Sequence, residues 1–114
     1  HAIESYLIEK NISTMHGFAV AQGLVIETYI AYKIRLTSKQ TFLEIRNVLH
    51  KYFGQHLNLD FEIQKVMTLM KGDKKNLTQK INFSLPKSIG NVLIDQEIDC
   101  NKLEKILLEF LKND

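Results

Sequence analysis

The sequence predicts a mainly α domain, a helical bundle with one small β-hairpin, and three features predict it. Apolar residues recur at helical spacing in several stretches around one segment, Phe18 to Ile34, that is apolar on nearly every side. Between Ile81 and Asp95 the apolar period shortens to that of strands, interrupted by Ser88-Ile89-Gly90. At 114 residues and 45% hydrophobic content, the chain fits one domain with a substantial core.

The elements follow in order. His1 to Lys10 sets Ile3, Leu7 and Ile8 on one helical face, and Asn11-Ile12-Ser13-Thr14 ends or bends that helix. The segment from Phe18 is broken only by Gln22, Gly23, Glu27, Thr28 and Lys33, so it is expected to be buried on most of its circumference. It should end near Arg35 and Leu36. Thr37-Ser38-Lys39-Gln40 offers a Thr/Gln capping box for a helix with the stripe Phe42, Ile45, Leu49, Tyr52 and Phe53, closed by Gly54. Asp60 is the expected N-cap of the next helix, whose stripe is Ile63, Val66, Met67 and Met70 and which Gly72 stops. Gly72-Asp73-Lys74-Lys75-Asn76 reads as an exposed loop. Ile81 to Leu85, before Pro86, and Asn91 to Asp95 form the hairpin, which must pack on the helices because an isolated one is marginal. Asp99 caps a final helix with Leu103, Ile106, Leu107, Phe110 and Leu111 on its apolar face.

Composition excludes several function classes. Fifteen Lys and Arg against thirteen Asp and Glu leave a net charge of +2, with basic residues scattered except around Lys71 to Lys80, so no nucleic-acid partner is called for. Gln22 and Glu27 interrupt the central helix before it could span a bilayer, which argues against a membrane location. The single Cys100 forms no internal disulfide, and with no signal peptide in view a cytoplasmic location is expected. The chain opens on His1 directly in helix-like sequence, which suggests a fragment whose upstream partner domain is missing.

His16, followed by Gly17 at the entrance of the apolar helix, is the leading candidate for chemistry. Neutral imidazole is a common zinc ligand, although a zinc site needs three or four donors and one histidine supplies one. His1 and Glu4 lie three apart and can share a helix face. His50 and His56 read as surface residues without ligand spacing to His16. Lys74 and Lys75 can hold a phosphate or carboxylate as point charges, or can be a solvated turn. Glu27, in so apolar a helix, must find a partner, reach an edge or face a wet cavity. Nothing beside Cys100 supplies a base that would make it a nucleophile.

Taken in order, His1-Ala2-Ile3-Glu4, His16-Gly17-Phe18-Ala19-Val20-Ala21, Asp73-Lys74-Lys75-Asn76, Ile81-Asn82-Phe83 and Ser88-Ile89-Gly90 resemble the C-terminal half of the 3-dehydroquinate synthase family. The resemblance implies a helical metal- and substrate-binding domain over residues 1–114 and an N-terminal NAD-binding domain absent from this stretch. It makes His16 a metal ligand, with the family's other two ligands upstream of His1. It makes His1 the catalytic histidine beside the substrate phosphate, and it places Lys74 and Lys75 on a lysine pair that contacts the substrate's anionic groups, without deciding which lysine does so. The family usually has glutamate after His-Gly, where this chain has Phe18.

The implied activity is NAD-dependent conversion of 3-deoxy-arabino-heptulosonate 7-phosphate to 3-dehydroquinate and phosphate, in the shikimate pathway. Its cofactors would be NAD and zinc, or cobalt, in the full-length enzyme. The isolated fragment is expected to be inactive and to hold metal weakly or not at all. The implied partners are the small sugar-phosphate substrate and the missing N-terminal domain, with a homodimer left open and neither nucleic acid nor membrane involved. The runners-up are the helical domain of another sugar-phosphate cyclase or of a glycerol dehydrogenase-like enzyme, and a non-enzymatic helical interaction module.

Overall fold

The computed structural model describes residues 1–12, 16–54, 60–71 and 80–113. Within them the order is α1 (Ala2–Glu9), α2 (His16–Lys33), α3 (Lys39–Phe53), α4 (Ile63–Lys71), β1 (Lys80–Ser88), β2 (Asn91–Asp99) and α5 (Cys100–Asn113). The mainly α bundle with one antiparallel hairpin is the architecture expected from the sequence. Helix α2 packs against α1, α3, α5 and β1, while α4 lies on α1 and α5.

The core explains why α2 sits at the centre. Val25, Ile30 and Ala31 of α2 are essentially closed to solvent, as are Leu7 of α1, Leu85 of β1 and Leu103 and Leu107 of α5. Each large apolar side chain buried this way stabilises the fold by about 1.5–3 kcal/mol before chain entropy is counted. Tyr29 is the hub, with ring centroids 5.5 Å from Phe42 of α3 and 5.3 Å from Phe110 of α5, both edge-on. Tyr32 stacks on Phe42 at 5.8 Å, so the C-terminal half of α2 is gripped from two sides. Lys33 adds a 2.8 Å ion pair to Glu109 of α5. Each partner holds the other charged: the Lys33 ammonium keeps the Glu109 carboxyl below its ordinary pKa, and Glu109 raises that of Lys33.

Helices α1 and α2 end alike. Asn11 takes φ 57° while the Ile12 amide donates to the Leu7 carbonyl, and Arg35 takes φ 66° while the Leu36 amide donates to the Ala31 carbonyl. Both are Schellman turns, with the left-handed residue usually supplied by glycine. Asn tolerates that conformation; Arg does so at a cost.

Two expected caps are corrected. The N-cap of α3 is Ser38, whose hydroxyl accepts from the Thr41 amide at 3.0 Å, one residue after the expected Thr37. Thr37 is instead buried and donates its hydroxyl to the Lys87 carbonyl at 2.7 Å, fifty positions away in sequence. Among the described residues Asp60 accepts from the Phe61 amide, and α4 begins at Ile63. The Glu62 amide there donates to the Tyr6 hydroxyl of α1 at 3.2 Å, a tertiary bond serving where a local cap was expected. Asp99 does cap α5, its carboxylate accepting from the Asn101 and Lys102 amides.

The hairpin is longer than the alternation suggested, extending through Pro86 to Ser88 and on to Asp99. Ile81 pairs with Ile98 and both are buried. Two register shifts interrupt the ladder. At the first, Ile94 and Asp95 lie opposite Ser84, with Asp95 at φ 55° and bonded to the Asn82 amide group at 3.0 Å. At the second, Lys87 is the extra residue, so its carbonyl is outside the ladder and available to Thr37. A proline is tolerated in β1 because each strand of a two-stranded sheet has a free edge.

Two substitutions test this local account. Thr37→Val should cost about 1 kcal/mol by losing a largely buried hydrogen bond. Arg35→Gly should stabilise by roughly 0.5 kcal/mol, the relieved left-handed strain exceeding the extra entropy of an unfolded glycine. Urea unfolding of each variant, read by circular dichroism, measures both signs.

Candidate functional site

One wall of an open cleft is built by α2. Its residues His16, Val20, Gly23, Leu24 and Glu27 fall on one helical face and line a cavity of about 580 Å³. The other walls come from α1 at His1 and Ile3, from α4 at Leu69 and Met70, and from β1 at Asn82 and Ser84. Val20 and Leu24 are each 44% exposed, an uncovered apolar strip running from His16 along a helix otherwise sunk in the core.

Two helix beginnings meet at the mouth of the cleft. His16 is the first residue of α2, and its Nδ1 lies 2.8 Å from Glu4 Oε2 in the first turn of α1. An ionised carboxylate can only accept, so Nδ1 carries the proton and donates, and in the neutral ring Nε2 keeps the lone pair that a metal would take. The His16 side chain is 63% exposed and that of Glu4 30%, so the imidazole is accessible from the cleft side. His1, at the N-cap of α1, lines the same cleft. The structure thus brings together two of the sequence-predicted residues and adds Glu4. The sequence put His1 and Glu4 on a common helix face, but it carried no sign that Glu4 reaches across to His16.

Lys74 and Lys75, with the rest of the Gly72-to-Asn76 loop, lie outside the described residues, as does His56. His50 departs from its reading as a surface residue: it is half-buried in α3, and its Nε2 is shut off from solvent with no hydrogen-bond partner among the described residues. Phe18 packs edge-on against Phe53 of α3, with ring centroids 5.9 Å apart, and is not part of the cleft lining. Its place in the helix is therefore one of packing. Glu27, for which the sequence left three outcomes open, faces the cleft. Burial holds its carboxyl above the ordinary carboxylate pKa.

The residues fit part of a metal site. His16 Nε2 is one nitrogen donor oriented by a carboxylate on its other nitrogen, an arrangement common around ligating histidines. Among the described residues no group of three or more His, Cys, Asp or Glu side chains is clustered to hold an ion. A catalytic zinc takes three protein ligands, so donors from elsewhere would have to complete the set. Among the described residues no helix is long and apolar enough to cross a membrane.

Comparison with known proteins identifies the family and the fold. A family model described as 3-dehydroquinate synthase C-terminal matches residues 1–76. The 3-dehydroquinate synthase of Thermodesulfovibrio yellowstonii is 35% identical over 111 residues, 96% of this chain and 30% of that protein. That of Dictyoglomus thermophilum is 36% identical over 112 residues, 98% of this chain and again 30% of the relative. The chain therefore spans about 30% of the length of these relatives. A solved structure of 2-deoxy-scyllo-inosose synthase, complexed with carbaglucose-6-phosphate, NAD+ and Co2+, superposes with a TM-score of 0.74 at 17% identity. It covers 96% of this chain and 32% of its own, a likeness of fold.

The elevated Glu27 carboxyl generates a pH prediction. The folded state binds this proton more tightly than the unfolded state. Stability therefore falls as pH rises from the ordinary carboxylate range through the raised folded value, and this group adds no further change above it. Glu27→Gln removes that fall. The variant should match the parent near about pH 4 and exceed it in stability near about pH 7, as read by paired urea titrations. Equal stability at both values would show that Glu27 ionises without cost.

Proposed function

Because the chain belongs to the 3-dehydroquinate synthase C-terminal domain family, we propose that it is the helical half of an enzyme that converts 3-deoxy-arabino-heptulosonate 7-phosphate to 3-dehydroquinate and phosphate. The observation that carries the reading is the meeting of His1 and a carboxylate-held His16 at one open cleft. In this reading the upstream part of the protein is an NAD-binding domain that faces the cleft and supplies the remaining metal ligands. The sequence relatives favour this substrate over those of other cyclases, since the solved neighbour shares the fold alone. The reaction belongs in the cytoplasm.

Each residue has a role suited to its chemistry. His16 offers Nε2 to a zinc or cobalt ion while Glu4 holds the other face of the ring. When bound, the metal supplies Lewis acidity at a substrate hydroxyl and NAD the reversible hydride transfer. His1 takes up and returns a proton at the departing phosphate, with an imidazole able to do both near neutral pH. Lys74 and Lys75 neutralise the phosphate or carboxylate as point charges. Met70 of α4 and Ile81 of β1, in the elements on either side of that stretch of sequence, line the cleft. Val20 and Leu24 keep that wall dry once the cleft is covered, which strengthens every charge contact within it.

In the full-length protein, His16→Ala should lose bound metal and at least about 100-fold in kcat. Losing a ligand costs more than losing a residue that merely orients one, itself about 10–100-fold. His1→Asn should retain metal and lower kcat by about 100-fold, the smaller end of acid–base effects. Metal analysis with steady-state kinetics separates the two roles. A His16→Ala enzyme with unchanged turnover and metal content overturns the assignment.

A further inference from the structure

The geometry points to Glu4 as the positioning residue for His16, a carboxylate that selects the ring's tautomer and aims its free nitrogen at the metal. This rests on the reading of His16 as a ligand and extends it to a residue on another helix. The contact is short at 2.8 Å, joins residues twelve apart in sequence, and is made at the first residue of α2 by a side chain in the first turn of α1. Its exposure argues against a mainly structural role, because an ion pair or hydrogen bond open to solvent does little for stability. The two helices already pack on each other in the core, where Leu7 of α1 and Val25 of α2 are both buried. What the contact does achieve is selective. A free imidazole at a helix start can turn about its side-chain bonds and place its proton on either nitrogen. With Nδ1–H committed to a carboxylate, only Nε2 is left to donate a lone pair. The same α1 turn carries His1, so one short helix fixes both the catalytic histidine and the aim of the ligand.

The test uses the full-length protein, stripped of metal and titrated with Co2+ alone, comparing the parent with Glu4→Ala, Glu4→Gln and His16→Ala. Glu4→Ala should weaken Co2+ binding by about 10–100-fold and alter the visible Co2+ absorption bands at saturation. Glu4→Gln should recover part of the affinity, because the amide oxygen still accepts from Nδ1–H. Thermal midpoints should be nearly unchanged in both. In the metal-free protein labelled with 15N-histidine, the parent should show His16 protonated at Nδ1 and Glu4→Ala a mixture of tautomers. Co2+ affinity within about twofold of the parent in both Glu4 variants overturns the inference. So does a loss in Glu4→Ala that Glu4→Gln leaves unrestored while the thermal midpoint falls, since that marks a packing role. Retention of parental Co2+ affinity by His16→Ala instead removes the ligand reading, and the positioning role falls with it.

Discussion

The immobilisation of α2 is the constraint from which the rest follows. Tyr29 is clasped between Phe42 and Phe110, and Val25, Ile30 and Ala31 are sealed around the same helix, so its C-terminal half cannot shift without opening contacts to two other helices. A rod held at one end presents its other end reproducibly. That end carries His16, and its one uncovered face carries Val20, Leu24 and Glu27 along the cleft. The buried hub and the exposed imidazole are thus parts of one device, with rigidity in the core converted into a fixed start for the helix that bears His16.

The division between what was readable in the sequence and what was not follows the range of the interactions. Helices with a strong apolar stripe and a local stop, such as α3 before Gly54 and α5 after Asp99, could be placed because spacing and caps act within a few residues. Where a side chain had a better partner far away, local rules misplaced it. Thr37 left its capping position for a carbonyl that a strand bulge had freed, and the Tyr6 hydroxyl served a helix start that Asp60 should have capped. The Schellman ends at Asn11 and Arg35 were visible only as endings, because Arg carries no sign that it will adopt a left-handed conformation.

The site divides in the same way. His16 beside Gly17, and its family likeness, could be read from the chain. The pairing of His16 with Glu4 could not, because it depends on how two helices meet across a turn. Glu27 was left with three outcomes, and the cleft chose among them: a partly buried carboxyl that lines the open wall, its pKa raised by burial. Phe18 is placed by its surroundings in the same way, edge-on against Phe53 and off the cleft wall.

Anomalous diffraction from crystals of the full-length protein grown with Co2+ addresses the central claim most directly. The account predicts an anomalous peak about 2.0–2.1 Å from His16 Nε2, the usual metal–imidazole distance, with Nδ1 still on Glu4 and donors from the upstream domain completing the shell. A fully occupied Co2+ held elsewhere in the protein, with the His16 ring in solvent, would contradict it.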